Sequence, residues 1–83
     1  MEIRYNRAAA KALLKMPANT ARLIRRKIEQ YASNPDSMAN NVRKLQGREG
    51  YRLRVGDWRV VFDRDGVVLD ILEIGPRGSI YED

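Results

Sequence analysis

Apolar and polar residues alternate on both sides of a Gly56-Asp57 pair. Positions 51, 53 and 55 are Tyr, Leu and Val, and positions 58, 60 and 62 are Trp, Val and Phe. A period of two is typical of half-buried strands. Gly56 and Asp57 predict a two-residue type II′ turn, in which glycine supplies the positive φ. The segment is therefore predicted to be a β-hairpin with one apolar face.

The other face of this hairpin is basic. Because the turn has two residues, Arg54 is predicted to lie opposite Arg59, and Arg52 opposite Val61. Like charges placed opposite each other destabilise a sheet by roughly 0.2–1 kcal/mol. A fold does not require this arrangement, whereas an anion-binding surface does. Arg52 and Arg54 also fit the solvated side of an amphipathic strand, and spacing alone leaves both interpretations open.

Helical periodicity precedes the hairpin. Residues 2–5 alternate and predict a short first strand, after which Asn6 is a good N-cap for a helix over residues 7–16. A second helix follows a proline, with Asn19 or Thr20 as its cap, and its apolar residues recur at helical spacing. The short link predicts that the two helices form an antiparallel hairpin.

The remaining segments complete the fold prediction. Residues 34–50 contain prolines, asparagines and glycines and predict a long loop with room for one helical turn. Asp65-Gly66 predicts a second turn, leading into a strand over residues 67–74 that Gly75-Pro76 ends. The result is a single α+β domain over residues 1–83. Its N-terminal strand and a three-stranded antiparallel meander form a mostly antiparallel sheet, and the helical hairpin packs on one face of it. The arginine face is expected to be the open one.

Composition narrows the chemistry. The net charge is +5, and arginine supplies 12 of the 16 basic residues. Such an excess indicates a nucleic acid or an acidic protein as partner, although solubility alone also explains it. The chain has no cysteine and no histidine, which excludes disulfides, thiolate metal sites and imidazole-based nuclease chemistry. The scattered carboxylates do not predict a metal site. No apolar run reaches the ~18 residues of a membrane span, so we expect a cytoplasmic protein. Because metal-ligating residues are scarce, we also expect that it uses no cofactor.

Two more residues are expected to join the arginines. If the last strand pairs beside residues 58–62, its far end returns alongside Arg59, and Arg77 and Tyr81 then fold over the arginine face. Guanidinium groups bind phosphate and stabilise the extra negative charge of a phosphoryl transition state. An ordinary surface position for Arg77 and a packing role for Tyr81 are the alternatives.

Tyr81 is the credible general base of this group. Arginine keeps its proton at any physiological pH, whereas the pKa of tyrosine is ordinarily about 10 and adjacent positive charges lower it. Such a site suits cleavage of RNA by its own 2′-hydroxyl without a metal, because DNA lacks this internal nucleophile. Further basic residues are interpreted as a solvated surface or as contacts to an RNA backbone; these are Arg22, Arg25, Arg26 and Lys44.

The basic hairpin and the end of the chain resemble a known family. Residues 50–62, the upstream Lys44-Leu45-Gln46-Gly47, and Ile74-Gly75-Pro76-Arg77 followed by Tyr81 resemble the RelE/ParE toxin superfamily of type II toxin–antitoxin systems. The resemblance implies the RelE-like fold, and RelE-like members cut messenger RNA in the ribosomal A site by 2′-hydroxyl attack.

The resemblance also implies roles and partners. By position, Arg52 and Arg54 fill two basic strand positions, and Arg59 matches the phosphate-binding arginine. Arg77 matches the arginine that stabilises the transition state or leaving group, and Tyr81 the tyrosine that orients or deprotonates the nucleophile. The expected partners are a cognate antitoxin, the ribosome and messenger RNA, with operator DNA bound only through the antitoxin complex and no membrane.

Two other functions stay open. A ParE-like toxin would inhibit DNA gyrase without cleaving RNA, but such members generally lack the complete basic set with the terminal tyrosine. An inactive relative would retain only antitoxin binding. Pro76 supports this interpretation, because many members of the superfamily carry histidine or another basic residue at the position before the arginine that matches Arg77.

Overall fold

Five strands and two α-helices make up the part of the chain that the computed structural model describes, residues 1–79. In chain order the elements are β1 (Glu2–Tyr5), α1 (Arg7–Lys15), α2 (Ala18–Ser33), a 3₁₀ segment (Pro35–Asn41), β2 (Val42–Lys44), β3 (Tyr51–Val55), β4 (Trp58–Arg64) and β5 (Val68–Pro76). Within these residues the sheet has the order β1-β5-β4-β3-β2, with β1 parallel to β5 and the other pairs antiparallel. The predicted α+β class and the meander of β3, β4 and β5 are confirmed.

The two helices begin in different ways. The Oδ1 atom of Asn6 accepts a hydrogen bond from the backbone N–H of Ala9 at 2.9 Å, which confirms Asn6 as the N-cap of α1. The predicted cap of α2 is wrong. This helix already begins after Pro17, whose carbonyl accepts from the Ala21 N–H at 3.0 Å. The side chain of Asn19 lies inside the first turn, so it cannot be the cap.

Residues 34–50 are more ordered than a loop. The 3₁₀ segment leads into β2, which pairs with β3 so that Val42 lies opposite Leu53. Leu45 then donates its backbone N–H to the Gly50 carbonyl at 3.0 Å. The 3₁₀ segment matches the helical turn allowed for in this loop, but strand β2 was not predicted. Pairing with β3 stabilises this strand of three residues, which is too short to show a periodic pattern of its own.

Strand β5 contains a bulge and runs further than predicted. Val61 lies opposite Glu73 whereas Phe62 lies opposite Ile71, so Leu72 is an extra residue in the ladder. The bulge keeps Ile71 and Ile74 on the same buried side although they are three residues apart. Gly75-Pro76 does not break the strand, since Pro76 takes its last position and removes no hydrogen bond from the middle of the ladder.

The hydrophobic core lies between the helices and one face of the sheet. Its larger buried members include Leu13, Ile24, Ile28, Tyr31, Leu53, Val60, Phe62, Leu69 and Ile71. Trp58, which the alternation places on the apolar face of the hairpin, is only half-buried at the margin of the core. Neither helix in residues 1–79 is long and apolar enough to cross a membrane. Because the helices cover this face, the side chains of Arg52, Arg54 and Arg59 lie on the opposite one.

The predicted turn at Asp65-Gly66 is confirmed. The Oδ1 atom of Asp65 accepts hydrogen bonds from the backbone N–H groups of Val68 at 2.8 Å and Val67 at 2.9 Å. These bonds stabilise the ionised carboxylate and hold the pKa of Asp65 below its ordinary value. The turn therefore places β5 beside β4, which brings the end of β5 back to the basic hairpin.

Candidate phosphate-binding site

The basic hairpin has the predicted register. Arg54 lies opposite Arg59, and Arg52 opposite Val61. Gly56 has a φ of 57°, and within residues 1–79 every residue with a positive φ is a glycine. The second turn residue therefore has a negative φ, which fits a type II′ turn and excludes type I′. The opposed arginines are a property of the fold.

A cavity of about 130 Å³ lies over this opposed pair. It is lined by Asn40, Asn41, Arg43, Arg52, Arg54 and Arg59. These residues come from the end of the 3₁₀ segment and from three adjacent strands, β2, β3 and β4. Four guanidinium groups around so small a volume create a strongly positive site, which suits a phosphate group.

Arg43 is the member of this cavity that the sequence analysis missed. It lies on β2 directly opposite Arg52. The available signal was the polar–apolar–polar order of Asn41, Val42 and Arg43, but three residues are too few to establish a strand. Asn40 and Asn41 were also missed, because they reach the cavity only where the 3₁₀ segment leads into this strand.

Arg59 is held in place by the turn of its own hairpin. Its side-chain Nη1 donates hydrogen bonds to the carbonyl oxygens of Gly56 and Trp58, each at 3.0 Å. Only 8% of Arg59 is exposed, which corrects the expectation that the whole arginine face is open. The type II′ turn therefore orients this guanidinium as well as setting the register, and burial reduces the screening of its charge by water.

Arg77 lies next to the hairpin but outside the cavity lining. Its backbone N–H donates to the carbonyl oxygen of Asp57 at 2.7 Å, and Gly75 pairs with Arg59. The end of β5 thus returns alongside Arg59, as predicted, and the Arg77 side chain is exposed there. Tyr81, the predicted base, lies outside the described residues.

The other predicted RNA contacts lie away from the cavity. Arg22, Arg25 and Arg26 are exposed on α2, which packs against the other face of the sheet. The Arg25 guanidinium lies 5.5 Å from the ring centroid of Tyr5. Lys44 follows Arg43 on β2, so its side chain leaves the opposite face of the strand. The structure does not bring these four residues together with the arginine cavity.

Among the residues that the structure describes, the cavity lining contains no group that could act as a base. Burial raises the pKa of Tyr5 above its ordinary value, although the Arg25 guanidinium acts in the opposite direction. Burial likewise raises the pKa of Tyr31, with Arg64 opposing it. Arg48 forms an ion pair with Glu73 at 3.4 Å. Within residues 1–79, no three acidic side chains converge to hold a metal ion.

Replacing Arg54 with threonine is expected to increase the free energy of unfolding by roughly 0.2–1 kcal/mol at low salt, because it removes the like-charge pair with Arg59. Arg4→Thr is a matched control on β1, since Arg4 forms an ion pair with Glu2 at 3.1 Å and its loss should not stabilise the protein. Urea unfolding measures both values. If Arg54→Thr lost more stability than Arg4→Thr, the result would contradict repulsion between Arg54 and Arg59.

The fold and the cavity define a small α+β protein with a basic cavity on one face of its sheet, and comparison with known proteins identifies its family. Residues 3–81 match the family described as the ParE toxin of the type II toxin–antitoxin system parDE. The chain therefore belongs to the ParE toxin family, within the RelE/ParE superfamily that the sequence resembles. A search of curated proteins found no significant match.

Solved structures of RelE toxins share this fold. The RelE–RelB complex of Pyrococcus horikoshii OT3 aligns with a TM-score of 0.77 and 27% identity, covering 95% of this chain and 97% of the other. The RelB–RelE complex of Methanococcus jannaschii gives 0.72 and 23%, covering 94% of each chain. The isolated E. coli RelE toxin gives 0.73 and 18%, covering 95% and 86%. The RelE-like fold is confirmed over nearly the whole chain.

Proposed function

We propose that this toxin is a metal-independent endoribonuclease that cleaves messenger RNA on the ribosome by attack of a 2′-hydroxyl on the adjacent phosphate. The observation that supports the proposal is the cavity lined by four arginines from three adjacent strands. Arginine binds phosphate through two parallel hydrogen bonds and keeps its charge at any physiological pH. The chemistry needs no cofactor, because RNA contains the nucleophile.

The proposed roles follow from position. Arg54 and Arg59 bind the scissile phosphate, and Arg52 adds charge from the same strand as Arg54. Arg77, exposed beside the hairpin turn, stabilises the charge that develops on the leaving oxygen. Tyr81 orients or deprotonates the 2′-hydroxyl, a role for which a phenol is suited because nearby positive charge favours its phenolate form.

The proposed protein partner is a cognate antitoxin. Similar chains occur in complexes of RelE with RelB, and a net charge of +5 favours an acidic partner. The antitoxin would block the arginine face or displace the C-terminal end of the toxin, and the complex would bind operator DNA. Such a toxin works in the cytoplasm, where ribosomes and messages are found.

A gyrase-inhibiting toxin that performs no chemistry is the second candidate. The family match is to ParE, which favours it. The arginine cavity favours RNA cleavage instead, because binding a protein surface does not require four guanidinium groups around one small volume. An inactive antitoxin-binding relative is the third candidate, based on Pro76, which pairs with Trp58 at the end of β5.

Mapping of message 5′ ends after induction in a bacterial host tests the proposal. Wild type is expected to produce cuts in phase with codons, and Arg77→Ala and Tyr81→Phe are expected to lose most of them. Arg22→Ala removes the same charge from the exposed face of α2 and should cut like wild type.

The other outcomes separate the three candidates. Growth arrest with DNA damage and intact messages would replace RNA cleavage with gyrase inhibition. Normal growth with antitoxin binding intact would indicate the inactive relative. Equal losses in Arg77→Ala and Arg22→Ala would count against the proposed site even if messages were cut.

A further inference from the structure

Three successive carbonyl oxygens at the hairpin turn hold two of the arginines of the proposed reaction. The Gly56 and Trp58 carbonyls each accept a hydrogen bond from Nη1 of Arg59 at 3.0 Å. The Asp57 carbonyl, between them, accepts one from the backbone N–H of Arg77 at 2.7 Å. A residue of β4 and a residue that follows β5 are therefore fixed to the same short segment.

The contact to Arg77 joins two turns. The ladder between β4 and β5 ends where Trp58 pairs with Pro76, and proline has no N–H, so Arg77 supplies the next donor. A second turn follows at once, in which the Pro76 carbonyl accepts from the Ser79 N–H at 3.1 Å and from the Ser79 hydroxyl at 2.9 Å. The hairpin turn thus determines where the chain that carries Arg77 reverses.

Gly56 determines the direction of the carbonyl that precedes Asp57. Its φ is 57°, and its carbonyl belongs to the middle peptide of the type II′ turn. A side chain at this position disfavours positive φ, and a different turn type rotates the middle peptide away from Nη1 of Arg59. Space is not the constraint, because a Cβ at position 56 would meet no atom of residues 1–79 within 4 Å apart from its chain neighbours. Only the backbone conformation requires glycine here.

We propose that Gly56 is a positioning residue for RNA cleavage, because the turn that it permits aims successive carbonyls at Arg59 and Arg77 and so fixes the two arginines relative to each other. The proposal rests on the proposed function, in which Arg59 binds the scissile phosphate and Arg77 stabilises the leaving oxygen. Gly56 acts through these arginines and not by contact with RNA. Orientation matters for such a site, since a misplacement of about 1 Å costs a reaction about 10²-fold.

Chemical synthesis of the full chain tests the proposal, because it allows both Gly56→Ala and Gly56→D-Ala. The D-residue adds the same methyl group but prefers a positive φ. We expect Gly56→Ala to lower kcat on ribosome-bound message about 10²-fold with a much smaller change in KM, and Gly56→D-Ala to cleave at nearly the wild-type rate. Gly66→Ala is the matched control, since Gly66 has a φ of 93° in the turn at the other end of β4. Per folded molecule, it should keep the wild-type kcat.

A label on Arg59 reports the contact without any cleavage. Synthesis places ¹⁵N-arginine at position 59 alone, and a guanidinium held by two carbonyls rotates slowly enough to show separate Nη signals in NMR spectra at low temperature. We expect separate signals in wild type and Gly56→D-Ala, and merged signals in Gly56→Ala.

An ester in place of the amide between Pro76 and Arg77 tests the second arginine. It removes the N–H that the Asp57 carbonyl accepts and leaves the Arg77 side chain unchanged. We expect kcat to fall roughly fivefold, the effect of one ordinary hydrogen bond. The control is an ester that removes the Val67 N–H, which donates to Oδ1 of Asp65 at 2.9 Å; it should leave kcat unchanged.

Four results would overturn the proposal. These are a loss of kcat in Gly56→Ala no larger than that in Gly66→Ala, a change in KM alone, Nη signals that stay separate in Gly56→Ala, and an unchanged kcat in the Arg77 ester. Uncut messages in wild type, with the Arg59 signals as expected, would reject the nuclease function while the hold of the turn on Arg59 stands.

Discussion

Arg59→Ala is expected to lower the rate of message cleavage by about 10²–10³-fold, the usual effect of removing one preorganised donor from a site of developing charge. Arg59 is the most buried arginine lining the cavity, and two backbone carbonyls fix its guanidinium. A donor that is already oriented loses little entropy on binding, and its charge is weakly screened. Cleavage of ribosome-bound message with purified protein measures the effect.

Two comparisons separate geometry from charge. Arg59→Lys keeps the charge, but a lysine ammonium lacks the planar fork needed to bond the turn carbonyls and a phosphate together. We therefore expect Arg59→Lys to cleave at less than about a tenth of the wild-type rate. Arg22→Ala should cleave at the wild-type rate. Full activity in Arg59→Lys would contradict the orienting role of the turn, and full activity in Arg59→Ala would remove Arg59 from the site.

The hairpin could be predicted because its determinants are local. A period of two and a two-residue turn fix the register, and a shift by one residue would move every apolar side chain to the wrong face. Arg54 opposite Arg59 follows directly. The Asn6 cap and the turn at Asp65 are local as well, since each side chain bonds backbone groups within three residues.

Strand β2 could not be predicted because its stability comes from pairing with another strand and not from its own pattern. Its three residues pair with residues of β3 that lie seven to eleven positions further along the chain. The cavity depends on this pairing, since Arg43 and the two asparagines enter it only when β2 is the edge strand. Half of the residues lining the cavity were therefore missed.

The burial of Arg59 was also beyond the sequence pattern. Alternation predicts which face a side chain leaves, but not whether it then folds back onto the backbone. Here the guanidinium returns to the turn that precedes it.

The bulge at Leu72 did leave a signal in the sequence, because Ile71 and Ile74 are spaced by three residues whereas buried residues of a regular strand are spaced by two.

Phe62→Ala is expected to lower the free energy of unfolding by about 3–5 kcal/mol. The side chain is 1% exposed. Its ring centroid lies 4.9 Å from that of Tyr31 and 5.5 Å from that of Tyr51, so the change leaves a cavity and removes two aromatic contacts. A small domain is typically stable by only about 5–15 kcal/mol. Much of the protein would then unfold at moderate urea concentrations.

Val67→Ala is the control, because Val67 is 71% exposed and its truncation should change the stability by less than about 0.5 kcal/mol. Phe62 lies on the face of β4 opposite the arginine cavity. Phe62→Ala should therefore reduce the folded fraction, while the cleavage rate per folded molecule stays near that of wild type. A loss of stability below about 1 kcal/mol would contradict the packing of this cluster. A large loss of rate in fully folded protein would show that the core also positions the arginines.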